Sequence, residues 1–229
     1  MVKNMTSSVE TAIIPYTPID SFIQSQFKPK GEMEKMQALF FRIISSVGQK
    51  DSIVEAFQAE VVFSHAKDPK PLIASYGAGP CIIVAGYELE ARIGFVAHFS
   101  HAGEVEVGKD RIVSKLSSML RGKSGKFDLS LKGGIIGDEI SAQTSKSIKK
   151  WVSSCITGIV LTVASSDPLI NSAAESKSVL LDTRNGSMRT YSPLEDNPNH
   201  YRRLQESDFI WARDSFEKEA KLKCVYPVA

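Results

Sequence analysis

Short segments rich in β-branched and aromatic residues follow one another closely between Glu60 and Phe99, and this run constrains the fold more than any other feature. Turn residues separate the segments, which are Glu60–His65, Pro71–Tyr76, Cys81–Tyr87 and Ala91–Phe99. Such a run is typical of neighbouring strands joined by tight turns. The sequence therefore predicts a β-rich core that begins near residue 60.

Helices and strands alternate in the pattern beyond this run. The predicted helices are 110–121, with Asp110 as N-cap and Gly122 as stop, and 138–154; the predicted strands are 127–136, 156–164, 178–183 and 187–191. The last two flank Asn185-Gly186, a strong hairpin signal. The segment 156–164 is almost continuously apolar, so we expect a central strand there. The predicted fold class is α+β, a layered mixed β-sheet sandwich with flanking helices.

Extensions flank the predicted core on both sides. We predict an N-terminal arm and helix over residues 1–59, a core domain over 60–192, and a linker with a C-terminal helix over 193–229. Apolar residues at helical spacing predict the first helix near 33–47 and the second near 201–223. We expect both helices to pack on the core, because their apolar faces would otherwise be exposed.

Charge, cysteine content and hydropathy exclude several classes of function. The chain has 229 residues, with 28 Lys and Arg against 26 Asp and Glu, so charge favours neither a nucleic acid nor an anionic membrane as partner. Cys81, Cys155 and Cys224 lie too far apart for a typical thiolate zinc site or a disulfide framework. No apolar stretch approaches a membrane span, and the N-terminus lacks the apolar core of a secretory signal. We expect a cytoplasmic protein that does not insert into membranes, with leaderless export left open.

A glycine-containing turn before Cys81 carries the strongest chemical signal. Gly77 and Gly79 permit a tight turn that can aim backbone N–H groups at one point, beside a cysteine at the start of a strand. An acyl-transfer nucleophile needs such an accessible sulfur next to an oxyanion site. Pro80 has no N–H, so the donors would have to be the Cys81 amide and groups from elsewhere. A buried cysteine that only fills space is the competing interpretation.

His98 is the candidate partner of this cysteine. If segments 81–87 and 91–99 form a hairpin, His98 returns to the end of the sheet that holds Cys81, where it could lower the thiol pKa. A different hypothesis is a metal-dependent hydrolase that uses His98, His101 and a carboxylate such as Glu104. We consider the metal hypothesis the weaker one, because a strand places residues three apart on opposite faces.

The pattern resembles the family of chemoreceptor glutamine deamidases, CheD. Family members share a Gly-x-Gly turn, a cysteine, an apolar strand and an Ala-His-Phe sequence, with the histidine 17 residues after the cysteine, as His98 is after Cys81. Ser75 stands six residues before Cys81, where the family has a functional threonine. Lys132-Gly133-Gly134 and the segment 180–186 match further pieces, so the resemblance covers about residues 60–190.

The resemblance implies a bacterial chemotaxis hydrolase that converts a protein glutamine side chain to glutamate and ammonia through a thioester. The implied site has Cys81 as nucleophile, His98 as acid and base, Ser75 orienting His98, and Gly77, Gly79 and Cys81 forming the oxyanion turn. No cofactor or metal is implied. The implied partners are a protein substrate that presents a glutamine and a regulatory protein. The alternative is a catalytically inactive interaction module with the same fold.

Overall fold

The computed structural model describes residues 53–154, 158–166, 176–197 and 221–226. These residues form ten strands and three helices. The strands are β1 (Ile53–Glu55), β2 (Glu60–His65), β3 (Leu72–Ala78), β4 (Ile82–Glu88), β5 (Ile93–Phe99), β6 (Gly125–Gly133), β7 (Ile159–Ser166), β8 (Lys177–Asp182), β9 (Ser187–Arg189) and β10 (Lys223–Tyr226). The helices are α1 (Ala102–Met119), α2 (Glu139–Ser153) and the short α3 (Pro193–Asp196).

The strands form two mixed sheets. The larger sheet has the order β10-β2-β5-β4-β6-β7, and the smaller has the order β1-β3-β8-β9. In the larger sheet only the outermost pairs, β10–β2 and β6–β7, are parallel. The smaller sheet has one parallel pair, β1–β3. The predicted α+β class with mixed sheets is therefore confirmed.

The central strands β4 and β5 are buried along their whole length, since both faces of the larger sheet are covered. On one face, side chains such as Val84 and Phe99 join a core with Ile112 of α1 and Ile148 of α2. On the other face, Ile83 packs in a second core with residues of the smaller sheet. The result is three layers: the smaller sheet, the larger sheet and the helices. The predicted sheet sandwich with flanking helices is confirmed for the described residues.

The two predicted hairpins are present. Strands β4 and β5 pair antiparallel, with Ile82 opposite Phe99. Strands β8 and β9 pair around the turn at 183–186, where Gly186 has a φ of 75°. A Cβ on Gly186 would lie 2.3 Å from the ring of Tyr87, so this turn requires glycine both for its backbone and for its packing.

The predicted start of the first helix is wrong. Helix α1 begins at Ala102 instead of Asp110, and the N-cap is His101, whose ring nitrogen accepts a hydrogen bond from the Gly103 amide. Two glycines and several charged residues dilute the apolar periodicity of the first two turns. One of these two glycines, Gly108, has no room for a side chain, because a Cβ there would lie 2.4 Å from the Leu222 side chain. Packing thus determines the helix where intrinsic propensity does not.

The predicted central position of segment 156–164 is also wrong. Strand β7 lies at one end of the larger sheet, and its outer side chain Val160 is 56% exposed. An apolar run does not distinguish a central strand from an outer one, because both can be rich in β-branched residues. The strands that are central, β4 and β5, contain the candidate site.

Two strands come from outside the predicted core of residues 60–192. Strand β1 begins at Ile53, and β10 begins at Lys223 and pairs in parallel with β2. The helices predicted near 33–47 and 201–223 lie outside the described residues, apart from 221–223, where Lys223 opens a strand. None of the described helices is long and apolar enough to cross a membrane.

Gly133, at the end of β6, packs against the turn that precedes β4. Its φ is 95°, and a Cβ there would lie 2.5 Å from the carbonyl oxygen of Cys81. The next amide, Gly134 N–H, donates to the carbonyl oxygens of both Gly79 (2.8 Å) and Cys81 (2.9 Å). The end of β6 therefore holds the Cys81 turn in place through backbone contacts.

We predict that Gly133→Ala lowers the free energy of unfolding by about 2–5 kcal/mol, because it adds a left-handed backbone strain and a clash with rigid backbone. Gly137→Ala is the matched control, since Gly137 also has a positive φ, 78°, but a Cβ there meets nothing within 4 Å. The control should cost only about 1–2 kcal/mol. Urea denaturation measures both, and equal losses would contradict the proposed clash.

Candidate active site

Strand pairing places Cys81 and His98 on the same face of the larger sheet. His98 lies directly opposite Ile83 in the β4–β5 pair. Cys81 stands two residues before Ile83, and residues two apart on an extended chain point to the same side. Cys81 and Ile83 also belong to the same buried cluster, between the two sheets. Cys81 therefore lies directly before β4, on the face of the larger sheet that carries His98 and one same-face residue pair further along the hairpin.

His98 is held from the opposite sheet by Ser75 of β3. The Ser75 hydroxyl lies 2.9 Å from His98 Nδ1 and 2.7 Å from the carbonyl oxygen of Ala56. Since a carbonyl can only accept, the Ser75 hydroxyl donates its proton to Ala56 and accepts from His98 Nδ1–H. The other ring nitrogen, Nε2, is then the unprotonated one. The expected Ser75–His98 hydrogen bond is present and fixes the tautomer.

His98 Nε2 is buried and makes no hydrogen bond within the described part of the chain. Buried ring nitrogens nearly always have a partner, so such an atom calls for an explanation. An unprotonated Nε2 on the same face as Cys81 has the properties of a base prepared to accept a proton from a thiol or from water.

The turn before Cys81 has the geometry that its glycines predict, with the two glycines in different roles. Gly77 has a φ of 75° and interrupts the register of β3 and β8 between Ser75 and Ala78. Gly79 has no positive φ; its N–H donates to the Gly77 carbonyl oxygen at 3.0 Å. Pro80 is exposed, and its carbonyl oxygen accepts from the Ser141 hydroxyl at 2.9 Å. The turn is thus fixed from β6 and from the first turn of α2.

Cys81 is buried and has one side-chain hydrogen-bond partner that the sequence did not predict. The Gln58 side chain donates from Nε2 to Cys81 Sγ at 3.2 Å. Gln58 lies in the turn between β1 and β2, and the pattern of the sequence contains no signal for it. A single glutamine between two short strands belongs to no motif, and its proximity to Cys81 exists only after the two sheets have packed.

The electrostatics of the pair differ from the expectation that His98 lowers the thiol pKa. Burial raises the pKa of Cys81 to about 11, with the Gln58 hydrogen bond opposing the rise and the Glu104 charge adding to it. Burial lowers the pKa of His98 to about 4. The physical reason is that both groups lie in an apolar layer, which disfavours an ion in each. Near neutral pH the pair is therefore an uncharged thiol and an uncharged imidazole.

Only two of the three side chains of the alternative metal hypothesis come together, since His101 Nε2 lies 3.6 Å from Glu104 Oε1. His98 faces the smaller sheet, whereas His101 caps α1. Both Glu104 oxygens are engaged by Ser100, one by its amide at 2.6 Å and one by its hydroxyl at 2.7 Å. Across the described ranges, no three His, Cys, Asp or Glu side chains come together as a metal-binding group.

Of the other two cysteines, the structure describes one. Cys224 is an exposed residue of β10, and Cys155 lies outside the described residues.

A comparison with models of protein families gives no match for this chain. A comparison with curated proteins gives none either.

We predict that His98 makes stability depend on pH in the acid range. Its folded-state pKa of about 4 lies below the value of about 6.5 expected in the unfolded chain. As the pH falls, the unfolded chain binds the proton first, so the stability contribution is complete above about pH 6.5 and is lost towards pH 4. The loss from this one group is roughly 3 kcal/mol.

His98→Gln removes this titration but leaves the other groups in place. The free energy of unfolding of the wild type, minus that of the variant, should fall by roughly 3 kcal/mol between about pH 7 and pH 4. Denaturant titrations at several pH values measure it. Parallel curves for the two proteins would show that His98 has an ordinary pKa.

Proposed function

We propose that this protein is a cysteine-dependent protein-glutamine deamidase, a hydrolase that converts a glutamine side chain of a protein substrate to glutamate and ammonia. The observation that carries the proposal is the relay Ala56–Ser75–His98, which leaves a buried, unprotonated Nε2 on the same face as Cys81. The resemblance to CheD in the sequence supports the same reaction, with a bacterial chemoreceptor as one substrate of the right class. We propose a cytoplasmic location on the same basis.

The first half of the proposed reaction forms a thioester. Cys81 Sγ attacks the carboxamide carbon while its proton moves to His98 Nε2, and the electron pair of the C=O bond moves onto the oxygen. When the oxyanion collapses, the C–N bond breaks, and the proton on Nε2 goes to the departing nitrogen. Ammonia leaves, and the substrate carbonyl remains bound to sulfur. Ser75 keeps Nε2 aimed by holding Nδ1.

The second half hydrolyses the thioester. His98 Nε2 takes a proton from water as the water oxygen attacks the carbonyl carbon. The C–S bond then breaks, and the proton returns to the sulfur. The sum is glutamine plus water giving glutamate plus ammonia, so neither half needs an electron acceptor or donor.

The uncharged state of the resting pair defines the type of catalysis. A thiol with a pKa of about 11 next to an imidazole with a pKa of about 4 does not hold a thiolate at neutral pH. Proton transfer therefore accompanies sulfur attack, which is general-base catalysis rather than attack by a preformed ion pair. The low pKa makes Nε2 a weak base, so correct positioning has to supply much of the rate.

A catalytically inactive interaction module is the second candidate. It is favoured by the same burial, because Cys81 is only 3% exposed and its thiol pKa is raised. Alkylation at neutral pH does not separate the two candidates, since both predict a slow thiol. Conversion of glutamine to glutamate in a protein substrate does separate them.

We predict that Cys81→Ala abolishes this conversion while the fold is retained. The assay is mass spectrometry of glutamine-containing candidate substrates after incubation, with ammonia release measured in parallel. Cys224→Ala is the matched control, because Cys224 is exposed on a different strand, and it should keep the wild-type rate. Wild-type conversion by Cys81→Ala would eliminate the proposed nucleophile.

We also predict a broad pH profile of kcat/KM, which reports the ionisations of the free enzyme. Activity should fall below about pH 4, where His98 is protonated, and above about pH 11, where the thiol has lost its proton. Between these limits the profile should be nearly flat. A thiolate–imidazolium pair would instead lose activity inside this range as the imidazolium lost its proton, and that profile would contradict the uncharged pair.

A further inference from the structure

The Gln58 side chain is the one polar group that contacts the sulfur of Cys81 from another part of the described chain. Its Nε2 donates to Sγ at 3.2 Å, across the space between the β1–β2 turn and the start of β4. The hydrogen bond stabilises the thiolate relative to the thiol, since it acts to lower the thiol pKa. No step of the proposed reaction uses this amide.

The turn that carries Gln58 is hydrogen-bonded to β3 and β5, the two strands that contain Ser75 and His98. On one side, the Ala56 amide donates to the Ala74 carbonyl oxygen at 2.8 Å, next to Ser75. On the other side, the Ala59 amide donates to the carbonyl oxygen of His98 at 3.0 Å. The position of Gln58 is therefore set by the same two strands that hold Ser75 and His98.

Backbone strain supports a functional role for this turn. Ala59 has a φ of 59°, a left-handed conformation that costs a residue with a Cβ about 1–2 kcal/mol. Such strain tends to persist where the surrounding contacts over-determine the conformation, and it is concentrated at functional sites. Here the strained residue lies directly after Gln58 and turns the chain so that the amide reaches Cys81.

The proposed oxyanion needs donors that the Cys81 turn cannot supply alone. Pro80 has no N–H, and the N–H of Gly79 is used by the Gly77 carbonyl oxygen. The Cys81 amide remains, and it already interacts with its own sulfur. Of the amides from Gly79 to Cys81, one is therefore left to bind an oxyanion, and a nearby side-chain donor would complete the site.

We propose that Gln58 is a catalytic residue whose Nε2–H group, together with the Cys81 amide, binds the oxyanion of the reaction. The inference rests on the proposed deamidase function. In the resting site the amide is held at the sulfur. When Sγ bonds to the carboxamide carbon, the negative charge develops on an oxygen one bond from that carbon, close to the same donor. Nε2–H then stabilises the tetrahedral state more than the uncharged substrate.

A different role would be that Gln58 is itself a substrate, attacked by the thiol that it contacts. The contact that the structure records is through the amide nitrogen, and the turn on both sides of Gln58 is tied into the sheets. A fixed position suits a hydrogen-bond donor, whereas a glutamine substrate has to leave the site after the reaction. The experiment below separates the two roles.

The test uses the full chain with Gln58→Ala and Gln58→Glu, and with Gln143→Ala as the matched control. Gln143 is exposed on α2 and bonds only to Glu139 among the recorded partners, so its loss removes a glutamine without touching the site. The probe is a short synthetic peptide, acetylated and amidated, that contains one glutamine. Ammonia release gives kcat and KM, and iodoacetamide alkylation of Cys81 at fixed alkaline pH, followed by peptide mass spectrometry, reports the thiolate fraction.

We expect both Gln58 variants to lose about 100- to 1,000-fold in kcat with little change in KM. Alkylation of Cys81 should slow about tenfold in Gln58→Ala, because the thiolate loses a hydrogen bond. Loosened packing would have the opposite effect, since better access speeds alkylation. Gln143→Ala should match the wild type in both measurements.

Three results would overturn the assignment. The first is a Gln58→Ala enzyme with the kcat of the control, and the second is faster alkylation in that variant. The third is glutamate at position 58 in the purified wild type but not in Cys81→Ala, which would make Gln58 an internal substrate. A wild type that leaves the peptide and all candidate proteins unconverted would instead refute the proposed function itself.

Discussion

The hydrogen bond between Ser75 and His98 is the interaction on which the candidate site depends. Ser75 belongs to the smaller sheet and His98 to the larger, so the bond exists only when the two sheets pack face to face. It is fully buried, and its geometry is completed by the Ala56 carbonyl oxygen. A buried relay of this kind has little freedom to relax, because any shift of one sheet leaves a polar group without its partner. The tautomer of His98, and with it the ring nitrogen that is left unprotonated, is thus a property of the sandwich.

Much of this arrangement could be predicted from the sequence, because it depends on local patterns. The hairpin that returns His98 to Cys81 follows from two β-rich segments with a short turn, and the role of Gly77 follows from its freedom at positive φ. The α+β class follows from the change of periodicity along the chain. The sandwich of two sheets was predicted as an architecture, but apart from the two hairpins the pairing of individual strands was not.

The structural features that could not be predicted from the sequence depend on long-range packing. The contact between Gln58 and Cys81 spans the two layers, and β10 joins β2 from far along the chain. The pKa values follow from burial, which depends on every layer around the pair, and residue types alone suggested the opposite direction for the thiol. The early start of α1 belongs to the same group, since Gly108 is explained only by its contact with Leu222.

The parallel pairing of β10 with β2 gives the order of synthesis a role in the assembly of the site. Lys223 donates its amide to the carbonyl oxygen of Ala59, at 2.8 Å, directly after Gln58. A ribosome makes β1 to β5 long before it makes this strand, so Ala56, Ser75 and His98 are present while the Gln58 turn still lacks one of its backbone partners. A nascent chain therefore holds the sulfur and the imidazole before it holds the complete turn above them. The Gln58 turn is therefore completed by a strand that is synthesised well after the strands that carry Ser75 and His98.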